Sequence, residues 1–114
     1  MAKSVRYIYR GAQGRIPLNF NWPEMIKSAQ AVVHITASEI KAGSRTTVGR
    51  VNQDFIYWRG DADVFVTCIA PHFNSHSGGE PGGVEFALHV NWNYPLDVAI
   101  TITVEDETPV LIYN

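Results

Sequence analysis

Cysteine, long apolar runs and helical periodicity are all scarce in this chain of 114 residues, and each scarcity removes a class of protein. A single cysteine, Cys68, rules out an intramolecular disulfide framework. No apolar run approaches the roughly 20 residues of a membrane-spanning helix, so no membrane span is expected. The opening "MAKSVRYIYRGAQGR" has charge but not the apolar stretch of a secretory leader. The expected location is the cytoplasm, or outside it by a route without a cleaved signal peptide.

Basic residues are missing from a whole half. All nine Lys and Arg lie at or before Arg59, against three acids, a net of +6; from Gly60 onward there are eight acids and no base, a net of −8. A one-signed half can mark a nucleic-acid surface, and Tyr7, Tyr9, Phe20 and Trp22 do interleave with Arg6, Arg10 and Arg15. The net charge of −2 for the whole chain weighs against nucleic acid as a partner. The halves either interleave and neutralise each other, or act as two poles for head-to-tail self-association.

What the chain does contain is alternation. With 46% hydrophobic and 18% charged residues it is a globular sequence of one domain's length, spanning 1–114. "SVRYIYR", "AQAVVHITAS", "DVFVTCIA", "VEFALHVNW" and "DVAITITVE" alternate with period two, are rich in β-branched and aromatic residues, and are bounded by Gly, Pro, Asn and Asp. "TTVGRV", "DFIYW" and "PVLIY" read as shorter strands, and "PEMIKSAQ" as a turn. The expected fold is all-β: a small antiparallel sandwich, jelly roll or barrel of roughly eight or nine short strands. Cys68, mid-strand beside Val66, is expected to behave as a small buried hydrophobe.

The tryptophans stand at 22, 58 and 92, at intervals of 36 and 34 residues. Each follows an alternating run ("LNFNW", "DFIYW", "LHVNW") and precedes a turn and another strand, which suggests a recurrent strand–Trp–turn–strand hairpin.

Catalytic signatures are sparse: no Gly-x-Ser-x-Gly elbow and no glycine-rich phosphate loop with a lysine. "APHFNSHSGGEPGGVE", residues 70–85, is a long Gly- and Pro-broken loop with His72, Asn74, His76 and Glu80 on a four-residue grid. His72, His76 and Glu80 are subsidiary candidates for a divalent metal, and with it for a small metal-dependent enzyme. No other cofactor is expected. The aromatics suggest more. A sugar offers an apolar C–H face and a ring of hydroxyls, so its site needs an aromatic plate beside forked polar side chains. "WRGDAD" and "NWNYPLD" supply both, with Trp58, Arg59, Asp61, Trp92 and Asn93. Together with His72, Asn74 and His76 these are the candidate ligand-binding residues of a non-enzymatic, lectin-like carbohydrate-binding protein, expected to be a homo-oligomer. The competing expectation is a structural or assembly subunit, of a virion or secretion-system type, that self-associates through its charge-split surface.

Overall fold

The computed structural model describes residues 2–42, 55–73 and 81–113. Their secondary structure is all β, with no helix and therefore none long and apolar enough to cross a membrane. The strands are β1 (Lys3–Ala12), β2 (Gly14–Asn21), β3 (Val32–Ala42), β4 (Phe55–Tyr57), β5 (Asp63–His72), β6 (Gly83–Asn91) and β7 (Leu96–Glu105). They form a four-stranded sheet in the order β1-β7-β3-β4 and a three-stranded sheet in the order β2-β6-β5. Every pairing is antiparallel.

Alternation decides which faces meet. In β7 the side chains of Val98, Ile100, Ile102 and Val104 are buried, while Thr101 and Thr103 point away. In β6, Val84, Phe86, Leu88 and Val90 are buried. These two rows belong to one core cluster, joined by Ile35 from β3 and bordered by Val5, Tyr7, Ile16, Leu18 and Val64. The two most buried strands are each flanked on both sides, β7 by β1 and β3, β6 by β2 and β5. Each fully buried Val, Leu or Ile contributes about 1.5–3 kcal/mol, so the core is carried mainly by the second half of the chain, wrapped by strands of the first.

That wrapping interleaves the two charge poles. Acidic-half β7 lies between basic-half β1 and β3, and Arg10 meets Asp97 at 3.8 Å while His34 meets Glu105 at 2.6 Å. Both pairs are exposed, so they contribute little to stability.

Several expectations are corrected. The strands flanking each Trp do not form a hairpin: β2 and β3, β4 and β5, and β6 and β7 lie in different sheets, so each Trp stands at a crossing between layers. A turn signal announces that the chain reverses, not whether it reverses beside itself or across the core. "PVLIY" is not a strand; Val110, Leu111, Ile112 and Tyr113 are 73% to 87% exposed. It joins no ladder among the described residues. "TTVGRV" lies outside the described residues. "DFIYW" supplies β4, and the turn expected in "PEMIKSAQ" is there, with Ile26 N–H donating to the Trp22 carbonyl at 2.8 Å.

Cys68 is exposed, not buried. The β5–β6 ladder steps from Thr67↔Ala87 to Ala70↔Glu85, three residues against two, so β5 carries a bulge. Cys68 occupies it with φ of 57°, the left-handed region, and the extra residue breaks the alternation that would have turned the thiol inward.

Candidate binding surface on the three-stranded sheet

The expected ligand-binding residues divide between the two ends of the sandwich. Asp63 pairs with Asn91, Gly14 with Val90 and Ala12 with Leu96, so the start of β5 and the ends of β6 and β1 share one end. Trp58, Arg59, Asp61, Trp92 and Asn93 lie there, all exposed. His72 pairs with Gly83, which also faces Asn21, and so belongs to the opposite end. Asn74, His76 and Glu80 lie outside the described residues. Among the described residues no three His, Cys, Asp or Glu side chains come together as a metal site requires.

Trp58 and Arg59 line a shallow hollow of about 340 Å³ with Ser38, Glu39, Tyr57 and Gly60. Trp58 N–H donates to the Glu39 carbonyl at 2.9 Å, continuing the β3–β4 ladder by one bond. Its ring is already engaged, because the Lys41 ammonium sits 4.0 Å from the ring centroid. Trp92 is tied down by Gln13, whose amide donates to the Trp92 carbonyl at 3.3 Å.

A larger surface lies where no local motif announces it, on the outer face of β2-β6-β5. Register builds it. Arg15 of β2 pairs with His89 of β6, and His89 pairs with Phe65 of β5, so three residues distant in sequence stand in one row across the sheet. Pro17, Ala87 and Thr67 form the next row, and Asn19, Glu85 and Ala70 the one after. Ala87 has almost no exposed surface, so the floor is low, and the longer side chains around it form walls. The result is a groove of about 520 Å³ bordered by Arg15, Asn19, Cys68 and Glu85. A second hollow of about 260 Å³ adjoins it at Arg15, lined by Phe65, His89 and Asn91.

The aromatic end of this trough is held rigid. The Phe65 and His89 rings stack with centroids 4.6 Å apart and planes 5° from parallel. Such a pair contributes about 0.5–1.5 kcal/mol beyond its buried area. His89 Nε2 and the Thr67 hydroxyl share a hydrogen bond of 2.7 Å, which fixes the imidazole along the sheet. Phe65, half of it tied up against His89, is still 44% exposed. At the far end Asn19 accepts or donates through its amide to two neighbours, with His72 Nε2 at 2.6 Å from its Oδ1 and its Nδ2 donating to Asn21 Oδ1 at 2.9 Å. The trough therefore has an aromatic wall, a guanidinium beside it, and an amide and a carboxylate at the other end.

Comparisons with protein-family models, curated proteins and solved structures find no match for this chain.

Proposed function

We propose that the protein is a non-enzymatic carbohydrate-binding protein and that the trough on the outer face of β2-β6-β5 is its site. The observation that carries the reading is the row Arg15–His89–Phe65 beside a groove of about 520 Å³ that also presents Asn19 and Glu85. Phe65 supplies a planar apolar surface for the C–H face of a pyranose. Arg15, Asn19 and Glu85 supply forked donors and acceptors for vicinal hydroxyls. The trough is open and lies on paired strands, so it suits an extended, polar ligand that keeps part of its hydration. His72 remains in the proposed site through its bond to Asn19; Trp58, Arg59, Asp61, Trp92 and Asn93 lie at the trough's aromatic end, past Asn91, and line neither of its two hollows.

Strand order supports a jelly-roll-like wrapping as the scaffold: β1 pairs with β7 and, nested inside that pair, β2 pairs with β6. Such wrapping leaves one broad sheet face open beside its edges, which is where the trough lies.

Affinity electrophoresis through gels cast with soluble polysaccharides tests the reading. Retardation by one polysaccharide class, lost in Phe65→Ala and in Arg15→Ala while both variants still unfold in one cooperative transition, is the expected result. Retardation that survives both substitutions and disappears in Trp58→Ala/Trp92→Ala would move the site to the tryptophan end. No retardation by any polysaccharide would remove the carbohydrate reading.

A further inference from the structure

We infer that residues 108–113 of one copy add as a strand to the free edge of β1 in a second copy, making the protein a homo-oligomer through β-strand addition. The inference is independent of what the trough binds.

The segment has the composition of a strand and leaves its apolar side chains exposed. Val110, Leu111, Ile112 and Tyr113 are consecutive, apolar and 73% to 87% exposed. Four adjacent apolar side chains in this state form a patch that favours a partner surface. In the structure the segment does not lie on its own β1, since a segment docked there would cover about every second side chain.

β1 is the edge that fits it. Among the described residues β1 pairs only with β7, so no described strand meets the backbone donors and acceptors along its other side. The other outermost strands of the two sheets carry blocks or are short. β2 contains Pro17, which has no N–H to offer, and β5 contains both the Cys68 bulge and Pro71. β4 is three residues long. β1 from Lys3 to Tyr9 has neither proline nor bulge.

The core is also unfinished along this edge. Val5, Tyr7 and Tyr9 point inward yet remain half-buried, whereas their neighbours Ile102, Ile100 and Val98 on β7 are fully covered. A strand beside β1 with Val110 and Ile112 on the inner face would extend that layer. Leu111 and Tyr113 would then lie on the outer face, where Ile8 is half-buried.

Charge selects the same pairing. β1 carries Lys3, Arg6 and Arg10 and no acid; the approach to the apolar segment carries Glu105, Asp106 and Glu107 and no base. Two copies meeting this way bring opposite charges together, while β1 against β1 would oppose like charges.

Sedimentation velocity of the full chain over a wide concentration range reads the outcome. Wild type should associate as concentration rises, and less so in high salt. Val110→Asp/Ile112→Asp should weaken association on the order of 100-fold or more, because two apolar side chains lose their burial, with the monomer's melting temperature unchanged. Lys3→Glu should weaken it as well, and Lys3→Glu/Glu107→Lys should restore it. A wild type that stays monomeric, or an oligomer indifferent to Val110→Asp/Ile112→Asp, would overturn the inference. So would concentration-independent hydrogen-exchange protection along the outer edge of β1 that vanishes in this variant, since that would place the segment on its own sheet.

Discussion

Cys68 shows how one residue can be set against its local preference. Its left-handed backbone costs a non-glycine residue about 1–2 kcal/mol relative to the right-handed region, and the bulge holds it there because the ladders on both sides continue. Cys68→Gly relieves that cost at the expense of a more flexible unfolded chain, so stability should stay within about 1 kcal/mol of wild type. Cys68→Val cannot relieve it and adds a branched Cβ, so a loss of about 1–2 kcal/mol is expected. Urea denaturation of the two variants side by side checks the contrast. A second residue-scale effect belongs to Tyr7. Burial, with a smaller contribution from the neighbouring Tyr9, raises its phenol pKa above the ordinary value. The folded chain therefore keeps Tyr7 protonated at a pH where the unfolded chain begins to release the proton. This contribution to stability is complete below about pH 10 and is lost as pH rises through the folded value. Melting temperatures from pH 8 to 11 should fall at the alkaline end, and fall less in Tyr7→Phe.

At the scale of elements, most of the strands were legible and their partners were not. Alternation in "DVAITITVE" and "VEFALHVNW" separated inward Val98, Ile100, Ile102, Leu88 and Val90 from outward Thr101, Thr103 and His89, because a half-buried strand imposes that period. The same pattern carries no information about whether the next strand pairs with the last or crosses the core, which is why the tryptophan units read as hairpins. The binding surface was hidden for a related reason. Arg15, Phe65 and His89 meet through register, and no spacing along the chain encodes register between strands so far apart. What the sequence did offer was phase: Phe65 and His89 fall opposite the core rows of their strands, marking an aromatic and an imidazole that face outward. The turn after Trp22 yields its own prediction. Trp22 N–H donates to the Gly82 carbonyl at 2.8 Å, and the turn that follows seats Ile26, fully buried, against the core. A Cβ on Gly82 would collide with the Ile26 carbonyl, a backbone atom with nowhere to go. Gly82→Ala should cost about 2–4 kcal/mol, seen as a fall in the urea midpoint. Gly60→Ala is expected to be much milder, since the nearest atom there is the mobile end of the Glu39 side chain.

For the whole molecule, interleaving explains why a chain with a +6 half and a −8 half can fold as one sandwich. β7 between β1 and β3 places acids beside bases within a sheet. It also separates the two surfaces assigned above. The trough faces outward from the three-stranded sheet, and the proposed association edge is β1 of the four-stranded sheet, so strand addition leaves the trough open. An oligomer would then present several troughs, and avidity would raise the affinity for a polyvalent glycan above that of a single site. The central claim is sugar binding in the trough, and a glycan array probed with labelled wild type, Phe65→Ala and Trp58→Ala/Trp92→Ala tests it most directly. The account predicts a coherent set of related glycans bound by wild type and by the tryptophan variant, and lost in Phe65→Ala. A blank array, or one on which Phe65→Ala binds as wild type does, would contradict it.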